Sequence, residues 1–127
     1  MTIGEKMVAF QKTIEGGFDQ QMFDEIWHDE YEGWSNSNQA KTSKQDILET
    51  LKNCVGVKAS GSVLYENDEV LVMEYDWVFP ANTARPEGTY AAVEFCRLRD
   101  GKIASHQTGM TKSVNIICRN MMYFSSL

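Results

Sequence analysis

Glu94 and His106 are the two side chains in this 127-residue sequence whose types and spacing fit acid–base chemistry. They flank the turn signal Arg99-Asp100-Gly101, so each falls on one arm of a predicted hairpin. Whether they share a face depends on the turn. A two-residue loop, Asp100-Gly101, pairs Arg99 with Lys102 and leaves His106 opposite Phe95, off the face of Glu94. A three-residue loop with Gly101 in the left-handed position pairs Leu98 with Lys102 and sets Glu94 opposite His106. We favour the second, because Gly101 suits the bulge position. Ala92, Glu94, Cys96, Ala104, His106, Thr108 and Met110 then share a face, whose small residues leave room for a ligand beside Cys96, Thr108 and Met110.

A carboxylate within reach of an imidazole fixes its tautomer and raises its basicity, which makes a general acid or base. A glutamate in an apolar enclosure can instead stay protonated and donate a hydrogen bond. The plain alternative is a cross-strand pair in which the two satisfy each other, or an outward pair meeting a partner subunit. Other chemistry is poorly served. His28-Asp29-Glu30 are adjacent on an extended segment and cannot converge on one metal, so we read them as a solvated corner. Cys96 has Arg97 beside it in sequence but on the opposite face, so nothing lowers its pKa. The sequence has no Ser/His/Asp order, phosphate loop or dinucleotide fingerprint, so neither metal nor cofactor is expected.

Aromatic residues are the second feature. Trp34, Tyr75, Trp77 and Phe79 would line a cavity, with Phe10 and Phe18 as a helical lid, and such walls suit a planar apolar ligand. The competing reading is that they fill the core. If Tyr75, Trp77 and Phe79 faced outward, they would instead cement a sheet-to-sheet dimer, since exposed apolar patches are avoided on monomers.

The elements that must position these residues follow from periodicity. Thr2 and Glu5 form a capping-box pattern ahead of Ile3, Met7, Phe10 and Ile14 at helical spacing, and Gly16-Gly17 ends the run. Asp19 caps a second helix with the stripe Met22, Phe23, Ile26 and Trp27, and Phe18 and Phe23 are placed as a staple. Residues 29–35 read as a short strand. Ser43 caps a third helix with Ile47, Leu48, Leu51 and Val55 on one face. The period then falls to two: strands are predicted at Val57–Tyr65, Val70–Phe79, about 88–98 and about 102–113. The tail, 114–127, leans towards β without a clear period. Helices followed by a meander of antiparallel strands indicate an α+β fold, one domain with a core over about 3–113.

This order resembles the nuclear transport factor 2-like fold, in its SnoaL-like and ketosteroid-isomerase-like branches. The resemblance rests on Phe23-Asp24-Glu25-Ile26-Trp27-His28-Asp29-Glu30-Tyr31, Ser43-Lys44-Gln45-Asp46-Ile47-Leu48 and Asp100-Gly101-Lys102-Ile103-Ala104. It implies a cone-shaped curved antiparallel sheet, a cystatin-like roll, enclosing an apolar cavity under three N-terminal helices, and a three-residue loop in the 98–102 hairpin. It also implies a small apolar or aromatic ligand and a homodimer through the sheet. Members include isomerases, cyclases, dehydratases and non-catalytic binding or assembly domains, so the fold leaves function open. Of the isomerase's three roles, the base position falls on Trp34 and the oxyanion-holding tyrosine on Phe10. Only the protonated acid, at Glu94, finds a suitable residue. His106 matches the late-strand acid or histidine of the cyclase branch. The Asp–Arg–Asp relay of the epoxide-hydrolase branch has no counterpart.

Composition narrows the partners. Twelve Lys and Arg against 18 Asp and Glu give a net charge of −6, which disfavours nucleic acid and anionic membrane surfaces. The charge is uneven, −9 over residues 1–84 and +3 over 85–127, which fits complementary surfaces of an oligomer, an electropositive sheet face for an acidic neighbour, a pull on anionic ligands towards the cone, or no function at all. No apolar run approaches the ~18 residues of a membrane span, and no signal peptide is evident. Three widely separated cysteines, Cys54, Cys96 and Cys118, suit reduced thiols in a cytoplasmic protein. The expected protein is therefore a cytoplasmic homodimer binding a small apolar or aromatic molecule, with cofactor-independent isomerase, cyclase or dehydratase activity, or else a non-catalytic ligand-binding or dimerisation domain with a packed cavity.

Overall fold

The computed structural model describes residues 1–113, so the tail and Cys118 lie outside the described residues. Three helices precede most of the sheet: α1 (Ile3–Ile14), α2 (Gln20–Ile26) and α3 (Lys44–Asn53). Each starts where a side chain satisfies an otherwise orphaned N–H. Thr2 accepts from the Glu5 N–H at 3.1 Å and Asp19 accepts from that of Met22 at 3.0 Å. Ser43 and Asp46 form a reciprocal capping box, at 3.1 and 2.8 Å. Phe18 and Phe23 meet with ring centroids 5.6 Å apart, as a staple across the start of α2.

The strands are β1 (Trp27–Ser35), β2 (Ala40–Ser43), β3 (Lys58–Glu66), β4 (Val70–Phe79), β5 (Gly88–Arg99) and β6 (Lys102–Lys112). They form one six-stranded sheet in the order β2-β1-β6-β5-β4-β3. All neighbours are antiparallel except β1 and β6, which run parallel, a pairing that the expected meander did not contain. The helices cover one face, where Leu71, Met73, Tyr75, Trp77 and Phe79 alternate inward along β4. Phe10, Ile14, Phe23 and Ile26 meet them from the helices.

Several expectations need correction. Trp27 is the first residue of β1, not part of the stripe of α2, because the chain turns extended there to pair with Ile103. α3 stops at Asn53, which leaves Val55 outside it and 44% exposed. β2 was not anticipated; four residues, Ala-Lys-Thr-Ser, are too short and polar to show a period. The 98–102 hairpin has the two-residue loop, with Arg99 opposite Lys102. Asp100 and Gly101 both take positive φ, 54° and 70°, as a primed turn requires. Glu94 therefore sits opposite Thr108, and His106 opposite Cys96. The facing nevertheless survives. Ala104 is an extra residue between the pairs Leu98–Ile103 and Arg97–Ser105, and this bulge flips the parity back. Glu94, Cys96, His106 and Thr108 end on one face.

Candidate functional site

The inner face and the helices enclose a cavity of about 160 Å³. Apolar cavities of roughly 150 Å³ hold a benzene ring, so this one suits a single ring. Its walls include Phe10, Trp27, Trp77, Phe79 and Met110, with Glu94, His106 and Thr108 as polar groups along β5 and β6.

Glu94 and His106 are brought together diagonally across two strands, with His106 Nε2 and Glu94 Oε1 4.0 Å apart. Both are largely removed from water, their side chains 17% and 4% exposed respectively. A tyrosine steadies each from behind. Tyr75 donates its hydroxyl to the second oxygen of Glu94 at 3.1 Å. The hydroxyl of Tyr31 meets Nδ1 of His106 and also lies 3.2 Å from the Thr42 hydroxyl. One set of proton positions serves both hydrogen bonds: Thr42 donates to Tyr31 and Tyr31 donates to Nδ1, which leaves the ring N–H on Nε2, the nitrogen nearer Glu94. Burial pushes the phenols of both tyrosines well up, so they remain neutral donors.

The tyrosines reach these positions because glycines let their rings lie flat on the sheet. Gly33 is paired with His106 on one side and Thr42 on the other, and a Cβ there would lie 2.6 Å from the Thr42 hydroxyl. The Tyr31 hydroxyl occupies the same space above it. Gly61 faces Tyr75 across β3 and β4, where a Cβ would lie 2.7 Å from the Tyr75 ring. Glycine inside a strand commonly marks such a close approach.

The other anticipated residues divide. Phe10, Trp77, Phe79, Thr108 and Met110 line the cavity. Phe18 does not; it packs edge-on against Phe10 at 5.7 Å, as support behind the wall. Tyr75 is buried in the wall and acts on the site through its hydroxyl. Cys96 is fully buried among core residues, not at the cavity surface, and burial beside Glu94 pushes its thiol up, away from thiolate chemistry. Trp34 is misplaced outright. Tyr31, Gly33 and Ser35 point inward along β1, so Trp34 points outward, opposite Gln107 and near Phe95. Tyr31 is the residue that sequence reasoning missed. The available signal was Tyr31-Glu32-Gly33, an aromatic residue two positions before a glycine in a strand.

His28, Asp29 and Glu30 lie in an irregular stretch of β1 and pair outward with Asp100, Lys44 and Arg99. No cluster of His, Cys, Asp and Glu among the described residues has a metal-binding arrangement. No described helix is long and apolar enough to cross a membrane.

Comparison with solved structures defines the class of fold. IdmH of Streptomyces antibioticus, a proposed polyketide cyclase, superposes with a TM-score of 0.68 at 11% identity, covering 87% of this chain and 92% of its own. A SnoaL-like protein from Jannaschia sp. CCS1, also a proposed polyketide cyclase, gives 0.66 at 10% identity over 94% and 89%. A nuclear transport factor 2-like protein of unknown function from Burkholderia xenovorans gives 0.65 at 13% identity over 95% and 91%. The chain thus has the nuclear transport factor 2-like fold. No family model and no curated protein matches it by sequence.

Proposed function

We infer that the protein binds a small ring-bearing molecule in this cavity and moves a proton on it without a cofactor, as an isomerase, cyclase or dehydratase. The observation that carries this is the Glu94–His106 pair. The facing atoms lie 4.0 Å apart in an apolar enclosure, and a tyrosine holds the far side of each group. With Nδ1 turned to Tyr31, His106 offers Nε2–H to a carbonyl oxygen, while Glu94 is the acceptor for a proton on the adjacent carbon. The C–H electron pair then moves towards the carbonyl oxygen, where the imidazole stabilises the developing charge. Return of that proton from Glu94 to another carbon isomerises; attack of the carbanion on a second carbonyl, whose oxygen takes the proton, cyclises; and departure of a β-hydroxyl with the proton, as water, dehydrates. Two of the structural neighbours are themselves proposed polyketide cyclases, which favours this chemistry.

A thermal-shift screen of monocyclic aromatic and short polyketide-like ketones tests the reading, followed by deuterium exchange at the α-carbon of each hit. We expect stabilisation by aryl ketones and exchange faster than in buffer alone. Hits without exchange would leave a binding domain, and a panel without hits would overturn the reading.

The proposal includes a homodimer through the outer face of the sheet. Tyr65, Val72, Phe95, Gln107 and Trp34 lie opposite one another in a row crossing five strands. Tyr65, Val93 and Phe95 are 57%, 58% and 37% exposed, an apolar patch of the kind that partners cover. Light scattering at micromolar concentration is expected to report twice the chain mass; a monomer would refute it. A cytoplasmic setting belongs to the same reading, supported by three cysteines far apart in the sequence.

A further inference from the structure

Arg85 is a charged cavity group with no role in the proton transfer proposed above. It lies in the loop between β4 and β5, and it lines the cavity alongside Phe79, Trp77 and Met110. Among the described residues it makes no ion pair, whereas Lys44, Arg99 and both histidines do. Its guanidinium rests over the Tyr90 ring, 5.7 Å from the centroid. Tyr90 is anchored in turn, its hydroxyl donating to the Pro86 carbonyl at 2.9 Å. The Thr83 hydroxyl donates to the Pro80 carbonyl at 2.7 Å, which ties the near half of the same loop. A guanidinium parked on an aromatic face keeps its N–H edges free for an incoming acceptor, and its planar fork matches a carboxylate.

The cavity is therefore charged at two places of opposite sign. Glu94 lies on the same strand as Tyr90, four residues further along β5. A ring in the cavity would lie against Phe10, Trp77 and Phe79, with a short side chain left to reach Arg85. An anionic end placed at Glu94 would be repelled, so the two charges set one orientation.

We propose that the ligand is an aromatic or alicyclic carboxylate whose acid group is held by Arg85 while its ring and reacting carbon reach His106 and Glu94. This deepens the proposed function and rests on it. It also gives the positive balance of residues 85–127 a local meaning, because Arg85 is the first cation of that half and faces the cavity.

The test uses 3-phenylpropionate and its uncharged isostere 3-phenylpropionamide, with affinities measured calorimetrically on the intact protein. The acid is expected to bind wild type at least tenfold more tightly than the amide. Arg85→Met, which keeps the alkyl stem, should close that gap by weakening the acid and leaving the amide unchanged. Arg85→Lys should restore part of it. Arg85→Gln serves as a second neutral variant, and thermal unfolding of each variant verifies the fold. Equal affinity of acid and amide for wild type overturns the role of Arg85 but leaves the ring-binding cavity standing. A preference for the acid that persists in Arg85→Met and Arg85→Gln also overturns it. If neither probe binds wild type, this inference falls, whereas the ring-binding function is decided separately by the ketone panel.

Discussion

Alanine at position 106 is expected to lower turnover by about 10²–10⁴-fold, the usual worth of a positioned acid or base. The argument is geometric. His106 is 6% exposed, one nitrogen is committed to Tyr31, and the other is the N–H nearest Glu94. In the proposed mechanism alanine would remove the group that stabilises the developing oxyanion and keep the glutamate, so ligand affinity should change far less than the rate. Glu94→Gln supplies the converse. It keeps the contact with Tyr75 and the shape of the wall, removes the proton acceptor, and should slow turnover by a similar factor. Turnover of both variants on the best aryl ketone, read with thermal unfolding, checks this. Activity within about threefold of wild type in a folded His106→Ala protein would remove the imidazole from the mechanism. Some loss of stability is expected with alanine, about 1–3 kcal/mol, because the Tyr31 hydroxyl loses a partner while buried.

Alanine at Gly33 should do comparable damage without touching either reacting group. Its methyl would lie 2.6 Å from the Thr42 hydroxyl, in the space of the Tyr31 hydroxyl, and real structures do not tolerate either approach. The Tyr31 ring must therefore lift from the sheet. That breaks its contacts with His106 and Thr42 and drives the phenol towards the cavity. Overpacking of this kind costs about 1–3 kcal/mol. In addition, Nδ1 of His106 is left without its donor, so the tautomer with Nε2–H is no longer imposed. We expect a lower urea midpoint, and turnover approaching that of the His106 variant. The companion Tyr31→Phe keeps the ring and removes only the hydroxyl. If Gly33→Ala were as stable and active as wild type, the flat packing of Tyr31 could not be what orients the imidazole.

The two variants separate what was legible in the sequence from what was not. Glu94 and His106 could be selected as types, because the sequence has only two histidines and the other sits at a polar corner. The strands that carry them were also legible, since alternation along Val70–Phe79 and the turn at Asp100-Gly101 are local signals. Their facing was reached by a wrong route. The expected three-residue loop is absent, and the bulge at Ala104 restores the same parity. A bulge of this sort is set by how two strands twist together, and an alanine carries no mark of it.

Trp34 and Tyr31 show the same limit more sharply. They are three residues apart on one strand, so alternation forbids both from facing inward. Either could have filled the cavity by size and hydropathy. The inner position goes to Tyr31 because its partners, His106 and Thr42, lie on strands paired to Gly33, and β2 was too short to foresee.

Sequence alone determined the helix starts, the strand periods, the α+β class and the short list of titratable groups, because each depends on neighbours within a few positions. The tertiary structure decided which face of β1 turns inward, which strands flank it, and which tyrosine meets which acid or base. Those outcomes depend on register between strands distant in sequence, where a shift of one residue exchanges the cavity for the surface.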